Sequence, residues 1–244
     1  MKTQIFAAIA ASLLLTSAAP AAWSASPAQA LPAPKIDVAL TAAGKTETAV
    51  LAGGCFWGVQ GVFQHVKGVK KVYSGYSGGP GEKAQYELVS TGTTGHAESV
   101  QIVFDPSQIS YGEILRIFFT VATDPTQVNM QFPDEGPQYR NEIFYTTPDQ
   151  KRVAEAYIQQ LNAAHVFKKP IATRVDPMKG FFKAEDYHQD YLTLHPNQPY
   201  IATYDIPKVV ALRATFPERY TATPTLVFPA TEAKAKPAKA AKAS

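Results

Sequence analysis

The sequence predicts an α+β fold, a two-layer α/β sandwich with helices packed on a mixed sheet. Three observations carry this. Apolar periods of two and of three-to-four alternate along the chain instead of segregating into blocks. The connections between them are short and rich in glycine, proline and serine. About 200 residues remain once both ends are set aside, enough for one good-sized core.

The chain starts with a segment that is not part of this core. Met1-Lys2-Thr3 is a short positive start, Ile5 to Leu15 is an almost unbroken apolar run, and small residues follow. That is the layout of a secretory signal peptide, too short to span a membrane comfortably. Cleavage is expected after Ala28-Gln29-Ala30, with Ser24-Ala25-Ser26 as the competing site, so residues 1–30 are assigned to a leader. Residues 31–45 are small, polar and proline-spotted, a linker.

Elements then follow in order. Thr46 to Ala52 reads as a strand ending at Gly53-Gly54. Cys55 to Val66 reads as a helix, because Val59, Val62, Phe63 and Val66 recur at three and four. Val69 to Tyr76 is a second strand, stopped by Ser77-Gly78-Gly79-Pro80-Gly81. His96 to Phe104 is a third, with Glu98, Val100, Ile102 and Phe104 on one face. Tyr111 to Ala122 is a helix, Asn141 to Tyr145 a short strand, and Pro148 opens a long helix to about Ala164. Ile171 to Val175 is a further strand and Ala184 to Leu194 a short helix. The order is that of a ferredoxin-like core within a domain spanning residues 46–228. Residues 229–244 are rich in Ala, Lys and Pro and are expected to form a disordered tail.

The formal charge of +3 is an end effect. Residues 1–30 contribute Lys2 alone, and residues 231–244 hold four lysines against Glu232, so the body sits near −1. No basic surface for nucleic acid is expected. There is no Cys/His set spaced for a metal.

Cys55 is the only cysteine of the 244 residues. A lone cysteine cannot form an intrachain disulfide, and an exported chain would ordinarily use cysteines in pairs. It follows a strand and two glycines at the expected start of a helix, where unpaired N–H groups favour a thiolate and lower its pKa. Position alone leaves a reactive thiol and a packed one equally open. His65 lies ten positions on, roughly 15 Å by helix rise, too far to serve as its base, whereas His188 and His195 stay open. Glu98 shares a face with apolar residues, so burial there would hold a proton on it, as an acid catalyst requires. The alternative places it past the strand end in solvent. His96, at the start of that strand, is read as positioning the loop before it, with a catalytic role as the lesser alternative. The cluster from Gly75 to Gly81 has no adjacent Gly-Lys and is not a phosphate-binding loop.

GCFWG, GYSGG, YELVSTGTTGHAESV, DPTQVNMQFPDEGPQYR and AEDYHQDYL occur in that order between about Thr46 and Ile201. Together they resemble the peptide methionine sulfoxide reductase A family. The resemblance implies reduction of the S epimer of methionine sulfoxide, free or in proteins, chemistry that belongs to the known repair of oxidised methionine. It makes Cys55 the nucleophile and Glu98 the acid, and it places Phe56 and Trp57 around the substrate methyl group. Tyr86 and Tyr139 correspond to hydrogen-bond donors to the sulfoxide oxygen, Asp134 to an acidic organiser of the pocket, and Tyr191 to an aromatic beside it. No metal or organic cofactor is implied. The electrons come from an external thiol such as thioredoxin, glutaredoxin or a low-molecular-weight thiol.

The sequence departs from the family in places. No cysteine follows HPNQPYI, where many members carry recycling cysteines, so an external thiol must resolve the sulfenic acid. Thr123 stands where histidine is frequent, Met130 and Phe132-Pro133 where Arg and Gly-Asn are common, and Ser90 in place of a frequent cysteine. These changes bear on substrate preference more than on reaction type. The expectation is a periplasmic or secreted monomer, free of nucleic acid, that repairs oxidised envelope proteins. A cysteine hydrolase using His188 or His195, and a non-catalytic envelope-binding module, are the rival readings.

Overall fold

The computed structural model describes residues 29–228. The expected leader, save for Gln29 and Ala30, and the whole Ala/Lys/Pro tail lie outside the described residues. In chain order the strands are β1 (Glu47–Gly53), β2 (Val69–Ser77), β3 (Ala97–Phe104), β4 (Met130–Gln131), β5 (Asp134–Glu135), β6 (Asn141–Tyr145), β7 (Arg174–Pro177) and β8 (Phe181–Lys183). The α-helices are α1 (Phe56–Gln64), α2 (Tyr86–Val89), α3 (Tyr111–Ile117), α4 (Pro148–Ala163), α5 (Tyr191–Leu194) and α6 (Ile206–Thr215).

Strand β3 pairs antiparallel with β1 on one side and with β2 on the other. β1 and β2 are therefore parallel, joined through α1, with β3 inserted between them. β6 lies antiparallel beside β1, β7 adds in parallel to β6, and β8 closes the opposite edge against β2. The resulting order, β7-β6-β1-β3-β2-β8, is a mixed sheet with a ferredoxin-like centre. β4 and β5 form a separate small hairpin.

Alternation along the strands divides the sheet into two faces. Ala49, Leu51, Val72, Val100, Ile102, Phe104 and Ile143 are wholly buried on the face covered by α1, α3 and α4. The other face has a smaller cluster, Val50, Ala52, Ala97 and Phe144, covered by Met178 and Phe181. The helix starts are encoded locally. Ser110 caps α3 by accepting from Glu113 N–H at 3.2 Å. Thr147 caps α4 by accepting from Gln150 N–H at 3.2 Å, with Pro148 in the first turn.

Several expected elements differ. The helix expected over 111–122 is α-helical only to Ile117 and continues as a π turn over Phe118–Ala122. The strand expected at 171–175 lies at 174–177, because Ile171 N–H donates to Asn162 and Ala172 N–H to Pro125 O. The helix expected at 184–194 is broken into a 3-10 turn (Asp186–His188) and α5. The break falls at Asp190, which adopts a left-handed φ of 58°. Its buried carboxylate accepts from Gln64 Nε2, Val227 N–H and Phe228 N–H. Helices α2 and α6 and strand β8 have no counterpart in the sequence reading.

The segment 31–45 contains no helix or strand, yet it is tied to the domain. Leu31 O accepts from Arg116 at 2.7 Å, Pro32 O from Tyr157 at 2.8 Å, and Asp37 from Ser110 and Gly112 N–H.

Candidate active site

The turn between β1 and α1 presents Cys55. Gly54 has φ +88°, and an added Cβ would lie 2.4 Å from Gln131 Cβ, so only glycine fits this turn without displacing the β4–β5 hairpin. Gln131 is itself fixed, donating to Thr123 Oγ1 at 2.7 Å, while Thr123 donates to Asn141. Cys55 is the N-cap residue of α1 and is 7 % exposed. Its thiol is held well above its ordinary pKa, by burial first and then by the charges of Asp205, Glu98 and Asp134, with Lys208 opposing. This corrects the expectation that the helix start makes Cys55 acidic. The N-terminal dipole is outweighed by desolvation and three carboxyl groups, and the resting thiol is neutral.

Glu98 lies on the buried face of β3, not past its end, and is 4 % exposed. Its Oε2 accepts a hydrogen bond from Phe56 N–H at 3.0 Å, so the carboxyl caps the first turn of α1 beside Cys55. Burial pushes its pKa up to about 8, with Asp134 and Asp205 adding and the Phe56 bond opposing. At neutral pH Glu98 is therefore mostly protonated.

The aromatic residues converge on the same corner. Trp57 is stacked on Tyr191 with ring centres 3.9 Å apart and planes at 10°. Trp57 Nε1–H donates to His188 Nδ1 at 3.2 Å. Phe56 is buried against Tyr76 and His188, and Tyr86 lies 4.5 Å from the His188 ring. The phenols of Tyr86 and Tyr139 are driven up by burial and by the Glu98 charge, so both remain O–H donors. Arg140 anchors the Tyr139 turn by donating to Pro137 O at 2.9 Å and Gly95 O at 3.0 Å. Asp134 accepts from Tyr200 and is raised by burial. All eight residues singled out in the sequence thus belong to one cluster around Cys55.

Burial holds the His188 ring at a pKa of about 4, and its Nδ1 is occupied by Trp57, so it is a neutral wall residue and not a base for Cys55. His65 is at the far end of α1, where Nδ1 meets Thr221 O at 2.7 Å. His96 bridges the glycine-rich turn, with Gly79 N–H donating to its Nδ1 and its Nε2 donating to Pro80 O. Among the described residues no group of three or more His, Cys, Asp or Glu is placed to hold a metal ion.

The family profile described as Peptide methionine sulfoxide reductase matches residues 47–220. The chain belongs to this family, in its A branch. A relative in Mesorhizobium japonicum, Peptide methionine sulfoxide reductase MsrA 2, is 54 % identical over 189 residues, covering 78 % of this chain and 97 % of its own. A Synechocystis protein of the same name is 51 % identical, covering 78 % and 89 %. A crystal structure of reduced Mxr1 from Saccharomyces cerevisiae superposes with TM-score 0.58 at 30 % identity, over 65 % of this chain and 91 % of that one. Methionine sulfoxide reductase A of Corynebacterium diphtheriae gives 0.55 at 33 %, over 70 % and 86 %. The protein is accordingly an oxidoreductase that reduces methionine sulfoxide.

The reductase also has neighbours of Cys55 that sequence reasoning missed. Tyr200 bonds Asp134 and meets Trp57 edge-on at 6.2 Å. Asp205 is wholly buried, with Oδ1 3.2 Å from Lys208 Nζ and Oδ2 lacking a hydrogen-bond partner. It occupies the space that a Cβ on Gly58 would need, 2.1 Å from Oδ1. Gly58 is one helical turn beyond Cys55, so Asp205 and Lys208 lie against the first turn of α1. The only sequence signal was Gly58 itself, a glycine inside a helical pattern.

Proposed function

We propose that Cys55 attacks the sulfoxide sulfur as a thiolate while Glu98 protonates the sulfoxide oxygen, the Cys55 thiol proton passing to the Glu98 carboxyl so that the acid is restored. The observation that carries this reading is the hydrogen bond from Phe56 N–H to Glu98 Oε2, which leaves Oε1 to bear the proton beside the nucleophile. A sulfoxide oxygen is a poor leaving group until protonated, and an acid with pKa about 8 holds its proton at neutral pH while still being able to release it. Tyr86 and Tyr139 donate O–H groups to the same oxygen as charge develops. Phe56 and Trp57 receive the S-methyl group, Tyr191 braces Trp57 by stacking, and Asp134 with Tyr200 orders the opposite wall.

In this sequence of steps the substrate sulfur gains two electrons and leaves as methionine, and Cys55 loses two and becomes a sulfenic acid carrying the oxygen. One external thiol displaces that oxygen as water and forms a mixed disulfide. A second thiol restores Cys55 and departs as a disulfide. With one cysteine in the chain, both thiols come from outside, from a thioredoxin-like donor, a glutaredoxin or a low-molecular-weight thiol. The apolar segment Ile5 to Leu15 supports export, and we infer a monomer that repairs oxidised methionine in envelope proteins.

The test supplies each epimer of N-acetylmethionine sulfoxide with excess dithiothreitol. Turnover of the S epimer alone is expected, and none in Cys55→Ser. Activity surviving that substitution would overturn the mechanism, and equal use of both epimers would overturn the stereochemistry. Cell fractionation with N-terminal sequencing checks export, which an uncleaved chain recovered in the cytosol would exclude.

A further inference from the structure

Beyond the pocket for the methyl group, the wall continues outward as a row of rings. Trp57 meets Tyr200 edge-on at 6.2 Å, Tyr200 packs against Tyr204 at 5.1 Å, and Tyr204 meets Phe132 edge-on at 5.9 Å with planes at 80°. The row runs from the half-buried Trp57 to Phe132, whose side chain is 52 % exposed. Phe132 sits at the tip of the β4–β5 hairpin, two residues before Asp134, and its N–H donates to Gln127 Oε1 at 2.8 Å. Val128, 67 % exposed, stands on the same loop. The hairpin backbone is bonded at Phe132, and the Phe132 ring rests edge-on against Tyr204.

Nothing in the reduction of the sulfoxide group calls for Tyr204 or Phe132. A free amino acid brings no neighbouring residues, whereas a polypeptide must lay those beside the reacting side chain over the rim. The rim offered on this side is aromatic, and it is continuous with the pocket that takes the reacting side chain. A large apolar side chain beside the sulfoxide would bury against Phe132 and Tyr204.

We propose that Phe132 and Tyr204 form a subsite for an apolar side chain adjacent to methionine sulfoxide, making polypeptides with apolar flanks the favoured substrates. The proposal rests on the reading of the Cys55 pocket given above and adds to it a selection among substrates.

The experiment compares pentapeptides containing methionine S-sulfoxide with Leu or Phe on either side against the all-glycine counterpart, with dithiothreitol as reductant. The readout is the ratio of kcat/KM for apolar-flanked over glycine-flanked peptide. In the wild type the ratio is expected to be about 3–10, arising in KM. Phe132→Ser and Tyr204→Ala should each bring it toward one, and Phe132→Trp should preserve it. A wild-type ratio of one, or a ratio that survives in both truncations, would overturn the subsite. So would Phe132→Ser changing self-association in sedimentation, or the KM for the thiol donor, at an unchanged peptide ratio; the rings would then serve a second copy or the reductant. Failure to reduce any of the peptides would overturn the Cys55 reading itself, a distinguishable result.

Discussion

A carboxyl group that retains its proton at neutral pH is useful to a reaction and unfavourable to a fold. Glu98 has a pKa near 8 in the folded chain against about 4.3 when exposed. Between those values the folded state binds the extra proton, so stability falls as pH rises, and the acid itself is lost above pH 8. Glu98→Gln should lower kcat by roughly two to four orders of magnitude. Its amide oxygen still accepts from Phe56 N–H, so it should also gain about 2–4 kcal/mol relative to wild type at pH 9 compared with pH 5. Urea unfolding at the two pH values checks this. Charges also meet at Cys55, which faces Glu98, Asp134, Asp205 and Lys208 together with the phenols of Tyr86, Tyr139, Tyr191 and Tyr200. Removing the negative charge in Asp205→Asn should lower the pH midpoint of Cys55 alkylation by about one unit, and Lys208→Met should raise it. Shifts of the same sign would show that the pair acts through structure and not through charge. Local pattern, a glycine turn for Cys55 and a strand face for Glu98, marked both residues but left each reading open, and their roles were expected from the family resemblance. Their acidities were not legible, because these depend first on tertiary burial and then on the charges of Asp205, 150 residues beyond Cys55, and Asp134, 36 residues beyond Glu98.

Helix α1 carries the nucleophile at one end and needs close neighbours along its length. Gly58 admits Asp205, and Gly61 admits Leu192, whose Cδ1 lies 2.6 Å from where a Cβ would be. Gly58→Ala is expected to destabilise the protein by about 1–2 kcal/mol in urea unfolding, since overpacking outweighs the better helix propensity of alanine. Elements with a local signature were readable from sequence. The strands at 47–53, 69–77 and 97–104, and the capped helix from Pro148, lie where periodicity and caps put them. Elements set by distant partners were not. Strand β8 is three residues long and exists because β2 offers Gly75 to Ser77 for pairing. The helix expected through 184–194 breaks because Asp190 and the Gln189 side chain serve α1, β2 and the C-terminal segment instead of their own turn.

At the scale of the whole molecule, both ends of the described chain wrap the sandwich. The segment from Leu31 runs along α3 and α4, and the last described residues return to α1 and β2 through Thr221 N–H to His65 O, Thr225 N–H to Gln64 O and Lys71 Nζ to Leu226 O. Asp190 fastens this return by accepting from two backbone N–H groups and Gln64. Asp190→Ala should cost about 2–4 kcal/mol of stability, measured by denaturant midpoint, because it strands the Gln64 amide in the interior. The burial of Cys55 has a consequence at this same scale. Peroxides and stray disulfides react with thiolates far faster than with thiols. A sulfur kept neutral under a lid of aromatic rings is slow to react with any oxidant that arrives without fitting the pocket. The chain owns one thiol and no spare, and its resting chemistry works like a safety catch released by the correct cargo.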